Sequence, residues 1–107
     1  MKLGEEPFMK IKNGEKVIES RLFDEKRSAI SIGDEIEFTP NDDQTETVLT
    51  KVVALYRYQT FEELLSDFPS SLFGGGSKEE LLKELEEFYS GKEQEKYGVI
   101  GIKIRLI

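Results

Sequence analysis

Lys16, Glu19 and Arg21 fall within the stretch Gly14-Glu15-Lys16-Val17-Ile18-Glu19-Ser20-Arg21, which reads Gly-x-Lys-x-x-Glu-x-Arg. A guanidinium can grip a phosphate or carboxylate through two parallel N–H bonds, whereas an ammonium acts as a point charge. Glu19 between them can neutralise the empty site or accept hydrogen bonds from a base or amide. Lys16 beside Glu19 also makes a candidate general acid–base pair. Composition closes off most other chemistry. The chain has no Cys and no His, which removes thiol nucleophiles, disulfides, Cys/His zinc sites and every Ser-His-Asp arrangement. A divalent-cation site needs several convergent carboxylates, and here Glu19 has only Glu6 or Asp24 as neighbours to recruit, so neither a metal nor a cofactor is expected.

Charge is distributed unevenly along the chain. The net charge is −7, which opposes nonspecific nucleic-acid binding. Residues 1–27, however, carry seven basic and six acidic side chains, so the remaining residues hold a net −8. Any anion-attracting face therefore belongs to the first third. At 107 residues the chain is expected to form one domain, 1–107, with a modest core. No apolar run approaches the roughly eighteen residues of a membrane span. The start, Met1-Lys2-Leu3-Gly4-Glu5-Glu6-Pro7, lacks the features of a secretory signal, and a cytoplasmic address is expected.

The elements that would position the motif can be read from patterning. Residues 6–14 predict a short helix, with Pro7 in its first turn, Gly14 ending it, and Phe8 and Ile11 facing the core. Residues 16–22 alternate as a strand, with Lys16, Ile18, Ser20 and Leu22 on one side and Val17, Glu19 and Arg21 on the other. Strict alternation separates Lys16 from Glu19, so a common pocket requires Lys16 at the strand mouth or at a bulge. Residues 24–27 read as a charged turn or one helical turn, Gly33-Asp34 as a tight turn, 35–39 as a strand and 40–44 as a hairpin loop. The long run 47–58 is apolar on both parities and predicts a central strand. Thr60 and Ser77 each precede a glutamate by three residues, as N-caps of two helices, the second covering 78–89. Between them Gly74-Gly75-Gly76 predicts a mobile connector that could act as a lid. An alternating strand, 97–107, closes the chain.

The eight-residue motif resembles the signature of the ASCH (activating signal cointegrator homology) family, small prokaryotic type. The resemblance extends to Glu6-Pro7-Phe8, to Asp24-Glu25-Lys26-Arg27, to Ile32-Gly33-Asp34-Glu35-Ile36-Glu37-Phe38, to Tyr58-Gln59-Thr60-Phe61-Glu62-Glu63-Leu64-Leu65 and to Tyr97-Gly98-Val99-Ile100-Gly101-Ile102. It implies an α+β fold: a PUA-like, small, mostly antiparallel β-barrel with a short N-terminal helix and two helices before the last strand. It also implies an RNA-binding or nucleotide-binding module, in translation or RNA processing, with its cleft at the motif. Lys16, Glu19 and Arg21 would contact the ligand, and Tyr58, Phe61 and Tyr97 are candidates to stack on a base. Some small ASCH proteins resemble amidohydrolases of acylated cytidines that use the motif lysine with a threonine and a glutamate. Here Lys16 matches, Glu19 stands at the threonine position, and the expected glutamate falls in the Gly74–Gly76 loop. A hydrolase or ribonuclease using Lys16 and Glu19 is the alternative. A monomer is expected, and the acidic helix bearing Glu84, Glu86 and Glu87 could dock a protein partner.

Overall fold

The computed structural model describes residues 1–43 and 45–107. Its elements are β1 (Lys2–Leu3), α1 (Glu5–Lys12), β2 (Ile18–Leu22), α2 (Glu25–Ser28), β3 (Glu35–Pro40), β4 (Val48–Tyr58), α3 (Phe61–Ser66), a 3-10 turn (Ser70–Leu72), α4 (Lys78–Phe88), α5 (Gly91–Tyr97) and β5 (Val99–Leu106). The α+β class is as expected. Three helices rather than two precede the last strand, because Ser90 and Glu93 form a reciprocal capping box that starts α5. Of the expected hairpin loop, Pro40 belongs to β3 and Gln44 lies outside the described residues.

The local signals act as their chemistry requires. Asp24, Thr60 and Ser77 each accept the N–H three residues on, which satisfies an otherwise orphaned donor in the first turn of their helices. Gly14 takes φ 78°, the left-handed conformation that releases the chain from α1.

The five strands form one sheet in the order β1-β3-β4-β5-β2, with β1 parallel to β3 and every other pair antiparallel. The sheet curls around a core of Leu3, Phe8, Ile11, Ile36, Phe38 and the isoleucines of β5 at 100, 102 and 104. A second core lies on the other face, where Phe61, Leu64 and Leu65 of α3 meet Ile18, Leu22, Phe73 and Val99. Gly101 permits this contact, since a Cβ there would lie 2.9 Å from Leu64 Cδ1. In β4 the register shifts between Val52 and Ala54. Val53 is the extra residue of this bulge, so Val52 and Leu55 share the inner core while Tyr56 and Tyr58 pack on the outer one. Strict alternation along 47–58 would put Val52 on one face with Tyr56 and Tyr58.

The edges of the curled sheet, β1 and β2, are not paired with each other. The seam between them holds the candidate site. No helix is long and apolar enough to cross a membrane among the described residues.

Candidate functional site

Glu19 and Arg21 project from the same face of β2, where each is opposite an isoleucine of β5, Ile102 and Ile100 respectively. Lys16 stands before the strand begins. Its main-chain N–H donates to Lys10 O at the end of α1 (3.0 Å), and the residue forms an isolated antiparallel bridge with Phe73. Freed from strand alternation, its ammonium turns back to Glu19. This is the strand-mouth placement that a shared pocket required.

The three side chains form a closed electrostatic unit. Lys16 Nζ donates to Glu19 Oε1 at 2.7 Å and Arg21 Nε donates to Glu19 Oε2 at 2.8 Å. Arg21 also reaches across the seam with a terminal nitrogen, donating to the main-chain oxygen of Lys2 in β1 at 3.0 Å. A side chain thus links two sheet edges that the backbone leaves apart. Glu19 is only 3% exposed. Burial is the largest influence on its carboxyl and opposes ionisation, but the charges and hydrogen bonds of Lys16 and Arg21 together outweigh it and hold Glu19 below its ordinary 4.5. Burial likewise works against the Arg21 cation, and Glu19 with the adjoining Tyr89 hydroxyl overcomes it, raising Arg21 above its usual value. Near neutral pH Glu19 and Arg21 are therefore both ionised.

The unit opens into a cleft of about 540 Å³. One wall is the end of β1 with the start of α1, the floor is β2, and the other wall is Phe73, the glycine loop and the side of α4. Four basic and four acidic side chains line it, so the cleft is charge-balanced in a protein of net −7. Gly74, Gly75 and Gly76 have φ of 109°, 90° and 77°, a run of conformations that only glycine adopts readily. At Gly74 a Cβ would also meet the Lys10 and Lys16 side chains at 3.3–3.5 Å. The triplet lets the loop lie close against both lysines, and it is part of the cleft wall.

The three aromatic residues proposed from sequence for base stacking do not line this cleft. Phe61 is fully buried because α3 packs it into the outer core, where its ring lies 5.4 Å from that of Tyr89. Tyr58 packs at the edge of the same core with its hydroxyl donated to Asp67, and Tyr97 ends α5 beneath the Lys96 ammonium. Phe88 and Tyr89 line the cleft instead, and the Phe88 ring is 78% exposed. Helical spacing alone puts Phe88 on one face with Leu81 and Leu85, but spacing cannot tell whether anything covers that face. Of the acidic trio on α4, Glu84 lines the cleft while Glu86 and Glu87 do not. Among the described residues no group of three or more carboxylates is placed to hold a metal ion.

Comparison with known proteins bears on the fold and the family. A search of curated proteins finds no match. Among solved structures, the chain resembles the crystal structure of hypothetical protein PH0355, with 36% identity and a TM-score of 0.85, over 100% of this chain and 96% of the other. It also resembles the solution structure of protein PF0455 from Pyrococcus furiosus, with 33% identity and a TM-score of 0.75, over 100% of this chain and 94% of the other. The profile of the ASCH domain matches residues 1–107. With its curled five-stranded sheet of PUA-like kind and its Gly-x-Lys-x-x-Glu-x-Arg motif set in a cleft, the chain belongs to the ASCH domain family.

Proposed function

We propose that this cleft binds RNA or a nucleotide-like ligand, and that the protein serves translation or RNA processing in the cytoplasm. The observation that carries the reading is the juxtaposition of the buried Lys16–Glu19–Arg21 unit with the exposed Phe88 ring in a single cleft. Its volume lies within the range of about 300–1,000 Å³ typical of small-ligand sites. Lys16 and Arg21 each keep N–H donors beyond those spent on Glu19, suited to a ligand carbonyl or phosphate. Phe88 offers an exposed face on which a base can stack, an interaction worth about 1–3 kcal/mol. PUA-like folds are consistent with RNA binding, but fold alone does not assign function, so the argument rests on the cleft. Titration of isotope-labelled protein with short RNAs and mononucleotides tests it. Amide shifts should cluster at residues 14–21 and at Phe88, and Arg21→Lys, which keeps the charge and loses the fork, should weaken binding. Shifts confined to surfaces outside the cleft would refute the reading. Added salt should weaken binding only modestly, because a charge-balanced cleft engages few phosphates.

The 2.7 Å contact between Lys16 and Glu19 favours a second reading, a hydrolase acting on modified nucleosides or RNA with this pair as acid and base. Product formation by the wild type and its loss in Lys16→Ala would establish it. Activity that survives the substitution would remove it.

A further inference from the structure

The free edge of β2 carries information that the side chains do not. In an antiparallel pair, successive residues turn their main-chain N–H and C=O alternately toward the partner strand and away from it. The phase here is fixed at both ends of β2: Ile104 N donates to Val17 O at 2.9 Å, and Phe23 N donates to Gly98 O at 3.0 Å. Glu19 and Arg21, opposite Ile102 and Ile100, are in the same phase and bond β5. Ile18, Ser20 and Leu22 consequently aim their main-chain groups away from β5, and among the described residues β5 is the only strand paired with β2.

That edge is stopped on both sides of Ser20. Upstream, the Val17 N–H is taken by Leu72 O at 2.9 Å, which lays the 72–73 segment against the entry to the strand. Downstream, the Arg21 guanidinium spans the seam to Lys2 O. Ser20 lines the cleft between these two closures and is largely buried, where a main-chain donor and acceptor require a partner. Adding a peptide strand needs several successive free residues along an edge. The opening at Ser20 suits one small planar group instead.

Reading along the strand from the Lys16 end, the edge presents the Ser20 N–H, then the Ser20 C=O, then the Arg21 guanidinium. Arg21 commits Nε to Glu19, one terminal nitrogen to Lys2 and a further hydrogen bond to the Tyr89 hydroxyl, and a guanidinium has five N–H donors in all, so donors remain. The order is donor, acceptor, donor. Its complement is acceptor, donor, acceptor, which is the imide edge of a uracil-type base. Cytosine and adenine place an acceptor ring nitrogen where the central donor is needed, and guanine has donors at two adjacent positions.

We propose that Ser20 reads the imide edge of an unpaired uracil-type base through its main chain. The Ser20 N–H donates to one base carbonyl, the ring N–H donates to Ser20 C=O, and Arg21 donates to the second carbonyl. The pairing edge of the base is then fully occupied by protein, so the base must be single-stranded. This assignment rests on the nucleotide reading of the cleft and narrows it to one class of base.

The test uses the wild-type protein with uridine 5′-monophosphate, its N3-methyl derivative and cytidine 5′-monophosphate, followed by amide shifts and hydrogen exchange. Methylation removes the ring N–H and leaves both carbonyls and the phosphate in place. Uridine monophosphate should bind about tenfold or more tighter than either analogue, because each leaves a cleft group unpaired. The Ser20 amide should exchange at least about tenfold more slowly in the complex, as a newly bonded N–H does. If all three nucleotides shift the cleft amides with equal affinity, or if Ser20 gains no protection, the base assignment is wrong while the nucleotide reading stands. If no nucleotide shifts the cleft amides, both fall.

Discussion

Helices α3 and α4 flank the same sheet and both carry leucines and an aromatic at helical spacing, yet they are packed very differently. In α3, Phe61, Leu64 and Leu65 are all buried, and the helix sits directly on the backbone of β5 at Gly101. In α4 no residue is fully buried, and Phe88 near its end is almost bare. One helix is a foundation and the other is a wall. The difference shows that amphipathic pattern predicts which face of a helix turns inward, while the space beneath that face decides whether the result is core or binding site. A helix that spans a cleft must leave part of its apolar face uncovered for the ligand.

The strongest way to expose this contrast is Phe61→Ala, which should lower stability by about 4 kcal/mol through the cavity it leaves, read as a shifted urea midpoint. Glu19→Ala comes next. The cleft floor behaves as core, so stranding Lys16 and Arg21 should cost roughly 3 kcal/mol. The same carboxylate gives a pH signature. Because folding depresses its pKa, its stabilising contribution is fully present above the ordinary 4.5 and is lost as the pH falls through the folded-state value. Wild-type stability should therefore fall more steeply than that of Glu19→Gln as the pH drops below the ordinary 4.5. The smallest stability effect belongs to α4: Phe88→Ala should stay within about 0.5 kcal/mol of wild type while weakening nucleotide binding. A loss of stability comparable to Phe61→Ala would show that α4 is a core helix after all.

Much of this contrast was visible in the sequence, and the parts that were not share a cause. Caps at Thr60 and Ser77 are local chemistry, read correctly from a few neighbouring residues, whereas at 24–27 only the turn was read and not its Asp24 cap. The Ser90–Glu93 capping box carried the same signal, but the short polar segment behind it lacks an apolar stripe and reads as loop. β1 has two residues and is held only by pairing with β3, which no pattern of that length discloses. The motif side chains were identified because their types are informative on their own, even though alternation argued against Lys16 meeting Glu19. What joins them is the bridge to Phe73, a contact across more than fifty residues of sequence. The stacking aromatics went astray for a related reason: Phe61 and Phe88 look alike in a helical pattern, and only tertiary packing separates a ring in the core from one on a cleft wall. The bulge at Val53 inverted the parity of β4 beyond it, an effect of one residue on every residue after it.

The position of β5 has a consequence for the order in which the chain can assemble. It follows every other element described, yet it lies between β4 and β2 and supplies the only strand partner that β2 has among the described residues. A ribosome delivers β2 early and β5 late, so the strand bearing Glu19 and Arg21 waits through most of synthesis with no ladder to join. Until then Glu19 is solvated and its partners are unplaced. Commitment to the native sheet is therefore a late, long-range event, and it should be slow for a chain of this size because nonlocal pairing must precede its reward. The site forms in the same step that completes the fold, so no partly made chain can present it.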